Sequence, residues 1–244
     1  MKDARSFLIV ALDLPDRAAA LEAVRALSGH VGCFKLGLEI FTREGPRLVE
    51  EVLGSGECVF LDLKLHDIPN TVAGAVRSAC KLQVQMLTLH AAGGREMLEA
   101  ARQAAAESAV PPLLLAVTAL TSLSSKDCAA IGISGSVTAW VEQLASLAYE
   151  AGVPGLVASA RELPALRSRF GGKMQYVIPG IRSAGAAMQD QSRSVQPGDA
   201  ILAGADYLVV GRPILRAQDP ARAADSIVNE IEKALRSPAL SHNS

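Results

Sequence analysis

Aromatic side chains are scarce in this chain, at 4% of residues with one tryptophan, while hydrophobic residues make up 50%. A core short of rings must be aliphatic, which suits a parallel sheet packed against Ala-rich helices. An excess of one charge is also missing: 24 Lys and Arg stand against 25 Asp and Glu, a formal net charge of −1. That balance excludes a general electrostatic pull toward nucleic acid or a membrane surface, so any anion site must be built locally. Cys33, Cys58, Cys80 and Cys128 show no C-x-x-C spacing and sit in apolar or helical surroundings. They are expected to be reduced core thiols, neither disulfide-bonded nor metal-bound. No apolar run approaches a membrane span, and residues 1–6 are short and mixed in charge. A soluble, cytoplasmic protein is expected. No G-x-G-x-x-G follows the first apolar segment, which argues against a dinucleotide-binding fold.

What the chain does have is a repeat of apolar strand-like segments and amphipathic helices. Strands are predicted over Phe7 to Asp13, Cys33 to Gly37, Val59 to Lys64, Met86 to Ala91, Pro112 to Ala119, Gly155 to Ser159, Tyr176 to Pro179 and Tyr207 to Val210. Helical spacing fills the gaps: from Pro15 to Gly29, Thr42 to Leu53, Pro69 to Leu82, Arg95 to Glu107, Val137 to Glu150, Arg161 to Phe170, Asp199 to Ala203, and Pro220 to Leu235. Thr121 to Ser136 reads as a polar insertion with one short helix, and Gly180 to Gly198 as a long polar loop of the kind used for lids. Repeated strand–helix units without a linker or composition break predict an α/β fold, a (β/α)8 TIM barrel. It is expected as a single domain over residues 1–237, with a flexible tail at 238–244.

The segment from Val59 to Thr71 stands out. Val59, Leu61 and Leu63 alternate with Phe60, Asp62 and Lys64, the period of a strand. In a covered parallel sheet both faces are buried, and buried charges must pair or do chemistry. Asp67 adds a second acid beside the single ammonium of Lys64. A structural ion pair needs one acid and one base, so the surplus acid reads as functional. Barrel enzymes work at the carboxyl ends of their strands. Those ends carry Asp13, then Lys35, then Asp62 and Lys64, with His90 on the fourth strand. Neighbouring strands lie about 4.8 Å apart, so an Asp–Lys–Asp–Lys array is expected at the barrel mouth.

The last two strands end differently, in Pro179-Gly180-Ile181-Arg182 and Val210-Gly211-Arg212-Pro213. Loops at these two places commonly cradle phosphate in this fold. Glycine lets peptide N–H groups approach an anion, and arginine meets it bidentately. His66 is set aside as facing away from Asp62 and Lys64, His30 and His242 as surface residues, and Trp140 as packing. No His/Asp/Glu spacing suggests a metal site, and two nearby lysines would repel a divalent cation. Ser122, Ser124 and Ser125 lack an evident His–Asp partner, which argues against serine nucleophile chemistry.

With these residues in place, the chain resembles the orotidine 5'-phosphate decarboxylase family over nearly its whole length. Asp62, Lys64, Asp67, Ile68 and Thr71 match the family's D-x-K-x-x-D-I-x-x-T signature, and Asp190-Gln191-Ser192-Arg193 its D-Q-x-R stretch. The resemblance implies conversion of orotidine 5'-monophosphate to UMP and CO2 without a cofactor or metal. It implies that Lys64 donates a proton to C6, that Asp62 lies against the reacting carboxylate, and that Lys35 and Asp13 complete the array near the ribose. Asp67, Ile68 and Thr71 are implied to enter a neighbouring subunit's site, making the active unit a homodimer. Thr121 and Ser122 would border the pyrimidine. Pro179, Arg182, Gln191, Gly211 and Arg212 would bind substrate, with Gln191, Arg182, Gly211 and Arg212 on its phosphate. The rival is a related metal-dependent sugar-phosphate decarboxylase or synthase barrel.

Overall fold

The computed structural model of the protein describes residues 3–182 and 195–237. Eight parallel strands follow one another in chain order, β1 to β8, around a closed barrel, the (β/α)8 fold that the alternating pattern predicts. The chain packs as two compact units, residues 1–62 with 178–244 and residues 63–177. In the first, a short 3-10 helix (Ala4–Phe7) leads into β1 (Leu8–Ala11), α1 (Arg17–Leu27), β2 (Cys33–Gly37), α2 (Leu38–Glu44), α3 (Pro46–Gly54) and β3 (Val59–Leu65), whose last residues open the second unit. That unit continues with α4 (Pro69–Lys81), β4 (Met86–His90), α5 (Arg95–Ala106), β5 (Leu113–Val117), α6 (Ser125–Ala130), α7 (Val137–Glu150), β6 (Gly155–Val157), α8 (Leu163–Phe170) and most of β7 (Gln175–Pro179). The chain then returns to the first unit through α9 (Pro197–Leu202), β8 (Tyr207–Val210), α10 (Arg212–Leu215) and α11 (Pro220–Leu235).

Every residue of β1 and β2 is buried, as a sheet covered on both faces requires. In the first unit β1 lies between β8 and β2, with Ile9 level with both Val209 and Cys33. In the second, β4, β5, β6 and β7 pair in turn, and Leu115 is level with both Thr88 and Gly155. Helix starts carry the expected caps. Asp16 accepts the Ala19 N–H at the head of α1, Ser124 and Asp127 form a capping box on α6, and Asp219 caps α11. Among the described residues no helix is long and apolar enough to cross a membrane.

The structure corrects three expectations. The helix expected from Thr42 to Leu53 is two helices, because Gly45 turns left-handed (φ 66°) and Pro46 opens a new first turn. A short helix, α10, follows β8 directly where only strand eight's end was expected. Cys33 and Cys58 are not separate thiols: they form a disulfide, while Cys80 and Cys128 are free and buried. The cause is register. Phe34 pairs with Val59, so the residues just before them meet with Cα atoms 4.5 Å apart, a spacing at which a bridge closes. Local cysteine spacing does not reveal a pairing made across strands.

Candidate active site

The strand ends of the first unit bring three charged side chains together. The Leu12 N–H donates to the Lys35 carbonyl (3.0 Å), which carries the sheet one residue past β1 and delivers Asp13 at its edge. Lys35 is level with Ala11 on one side and Phe60 on the other. Both acids therefore lie two residues farther along their strands than the lysine's own backbone. The four-carbon stem covers that step. The Lys35 ammonium stands 3.6 Å from Asp13 Oδ1 and 3.3 Å from Asp62 Oδ2. Lys35 and Asp62 are 9% and 8% exposed, whereas the Asp13 side chain is 61% exposed. An ammonium placed between two carboxylates has its own desolvation offset by both.

Two glycines shape this cluster. A Cβ on Gly37 would lie 2.9 Å from the Lys35 ammonium nitrogen, so a side chain there would take the space the ammonium uses. A Cβ on Gly211 would lie 3.7 Å from Asp13 Oδ2 and 3.5 Å from the Ala11 Cβ. The Gly211-Arg212 corner thus adjoins the acid end of the array. Arg212 opens α10 and is exposed. On the strand before it, Pro179 ends β7, Gly180 turns left-handed (φ 79°), and the half-buried Arg182 donates its N–H to the Val195 carbonyl (3.0 Å). Gln191, with the rest of the Asp190–Arg193 stretch, lies outside the described residues, as does the tail at 238–244.

In the second unit, Lys64 is the next-to-last residue of β3, two residues past Asp62, and half-buried. Its φ is +51°, the left-handed region, which costs a side-chain-bearing residue roughly 1–2 kcal/mol. Its N–H donates to Thr88 Oγ1 (2.9 Å) on β4. A regular strand puts residues 62, 64 and 66 on one face, so strand alternation does not support the expectation that His66 faces away from Asp62 and Lys64; the left-handed Lys64 breaks that alternation. His66 is exposed, with its ring 5.4 Å from that of half-buried His90.

Asp67, Ile68 and Thr71 are all exposed. The Asp67 carboxylate accepts the Ile68 N–H (2.6 Å), and Ile68 is 66% exposed at the head of α4. Thr121 and Ser122 are exposed in the segment between β5 and α6. The Ser124–Asp127 box anchors the end of that segment, and the hydrogen bond from Ser124 holds the Asp127 carboxyl below the usual carboxylate range. Among the described residues no group of three His, Cys, Asp or Glu side chains is placed to hold a metal ion. Sequence reasoning missed Gly37 and Thr88. A glycine closing a buried strand is a sign of close approach, and Thr88 is the one hydroxyl in the strand Met-Leu-Thr-Leu-His.

The chain as a whole matches a known group of proteins. The sequence profile of the "Orotidine 5'-phosphate decarboxylase / HUMPS family" covers residues 6–227. The chain belongs to that family. It is 49% identical over 238 residues to the orotidine 5'-phosphate decarboxylase of Syntrophotalea carbinolica, covering 96% of this chain and 98% of that protein. The protein of the same name from Moorella thermoacetica is 48% identical over 235 residues, 94% of this chain and 93% of its own length. A crystal structure of orotidine 5'-phosphate decarboxylase from Lactobacillus acidophilus superposes with a TM-score of 0.83 at 34% identity, covering 92% of this chain and 98% of that one. The family match runs through β1 to β8 and so includes every strand end described above.

Proposed function

We propose that this chain is a carboxy-lyase that converts orotidine 5'-monophosphate to UMP and CO2, the last step in making UMP. The observation that carries the reading is the buried Lys35 ammonium between the carboxylates of Asp13 and Asp62, with Lys64 two residues beyond on the same strand. Breaking the bond from C6 to the carboxylate leaves an electron pair in the ring plane, where the π system cannot delocalise it. A fixed ammonium at that place stabilises the pair as it forms. Lys64 then gives its proton to C6, and CO2 departs as a neutral molecule. Asp62 lies against the substrate carboxylate and is relieved of repulsion when CO2 leaves. No step calls for a metal or an organic cofactor, and the ammonium of Lys35 occupies the space between carboxylates that a divalent cation would need.

In the same reading Asp13 and Lys35 hold the ribose, Thr121 borders the pyrimidine and Ser122 hydrogen-bonds it, while Pro179 lines the pocket. Arg182, Gln191, Gly211 and Arg212 hold the phosphate, far from the reacting bond, and that binding energy serves to assemble the charged site. The working unit is a homodimer in which Asp67, Ile68 and Thr71 serve the neighbouring site; the exposure of all three on their own chain supports this. Residues 1–237 act as one domain, and a cytoplasmic location goes with the role.

The deciding experiment follows the fall in orotate-ring absorbance when substrate is added in the presence of EDTA. Turnover that survives EDTA and is abolished by Lys64→Ala, with UMP binding retained, is expected. Activity that needs a divalent metal, or turnover of a sugar phosphate in its place, would transfer the chain to the metal-dependent branch.

A further inference from the structure

Lys64 needs a left-handed backbone at the end of β3, and the strand itself gives no reason for it. Lysine gains nothing from a φ of +51°, unlike glycine, which adopts it freely. Something outside the residue must hold that peptide. One contact that does so is the bond from the Lys64 N–H to Thr88 Oγ1 at 2.9 Å. Thr88 is fully buried, between Leu87 and Leu89, which are fully buried too. Its hydroxyl is therefore a fixed acceptor with no water to compete for the bond. A β-branched residue also has few χ1 choices, so the oxygen is held as firmly as the strand that carries it.

We propose that Thr88 is a positioning residue for the decarboxylation: its hydroxyl holds the Lys64 peptide in the left-handed turn and so fixes where the Lys64 ammonium points. This rests on Lys64 being the proton donor. Valine at position 88 keeps the shape and removes this acceptor, so the Lys64 peptide loses the bond that Thr88 gives it. The turn then relaxes and the ammonium moves. A displacement of about 1 Å at a reacting group is enough to lower turnover on the order of 100-fold.

The test compares Thr88→Val, Thr88→Ser and Lys64→Ala in the full-length chain, reading kcat and KM for orotidine 5'-monophosphate, UMP affinity and melting temperature. The expected result for Thr88→Val is a kcat loss on the order of 100-fold with KM and UMP affinity close to the parent. Thr88→Ser, which restores an oxygen, recovers most of the rate. Hydrogen exchange in the unaltered protein gives a reading that does not depend on any variant folding: the Lys64 amide should exchange as slowly as strand amides do. A folded Thr88→Val with parental kcat, a loss that serine does not rescue, or a fast-exchanging Lys64 amide overturns the role of Thr88. Near-parental turnover in Lys64→Ala overturns the proton-donor reading and this inference with it, an outcome the Thr88 variants alone cannot produce.

Discussion

The Lys35 ammonium reaches the carboxylates of Asp13 and Asp62, at 3.6 and 3.3 Å, although its own backbone is level with Ala11 and Phe60. A residue two steps back on its strand thus charges the tip of both neighbours. The stagger lets an ammonium sit between acids that come from strands on either side of β2. The stem is sheathed by the barrel, and only Asp13 faces solvent to any extent.

That arrangement separates the stability of the array from its use. Lys35→Met leaves Asp62 buried without its ammonium partner. Removing one member of a buried pair costs roughly 3–5 kcal/mol, less here to the extent that a buried methionine packs well. Urea unfolding should show the loss. Adding Asp62→Leu to Lys35→Met should recover most of that stability, because an apolar pair replaces an ionic one, while turnover stays at background. A Lys35→Met protein as stable as the parent would mean that Asp62 is neutralised by other groups.

Gly37 offers a cleaner probe of the same ammonium. Its backbone (φ −90°, ψ 178°) is open to any residue, so the glycine is not there for conformational freedom. It is there for space, since a Cβ would come within 2.9 Å of Lys35 Nζ. Gly37→Ala should still fold, its gain of up to about 1 kcal/mol from lower chain entropy offset by the weakened contact of Lys35 with Asp62. Its kcat should nevertheless fall on the order of 10- to 100-fold as Lys35 is displaced. Thermal melts beside steady-state rates decide the matter; unchanged turnover would show that the ammonium has room to move without consequence.

The barrel and the Asp13, Lys35 and Asp62 part of the expected array were legible because both are written in strand periodicity. Asp13, Lys35 and Asp62 end or follow apolar runs, and parallel pairing of neighbours brings such ends together. The features that escaped depend on what lies across a strand. The Cys33–Cys58 bridge follows from register, Gly37 matters because of a lysine tip two residues away, and Thr88 because it accepts from a residue 24 positions earlier. The break at Gly45-Pro46 was readable from residue type alone, but the apolar spacing on either side runs on through it. The acid–amine cluster and the Gly211-Arg212 corner could be placed on strand ends, yet not their approach to each other near Asp13.

The disulfide predicts a measurable dependence on reductant. Cys33 and Cys58 are 25 residues apart, and closing a loop of that size removes unfolded-state entropy on the order of 3 kcal/mol. For a chain of this length that corresponds to roughly 10 °C in melting temperature. Melts with and without dithiothreitol should differ by that order, and Cys58→Ser should melt at the reduced value in both. Identical midpoints for the parent would show that the two thiols stay unjoined in solution.

The proposed sharing of sites between subunits makes a prediction that no single variant can. Asp67 and Lys64 are three residues apart on one chain, but in the dimer each site would take Lys64 from one copy and Asp67 from the other. Asp67→Ala and Lys64→Ala proteins should each be nearly inactive alone. Mixed in equal amounts and allowed to exchange, half the dimers become hybrids, and one of the two sites in each hybrid regains both groups. Symmetry of the interface then fixes recovery at roughly a quarter of the parental rate. Asp67 now bonds only its neighbour's amide among the described contacts, and Ile68 beside it is 66% exposed, so the segment is placed to enter another copy. If tagged subunits demonstrably exchange and no activity returns, Asp67 serves the site of its own chain.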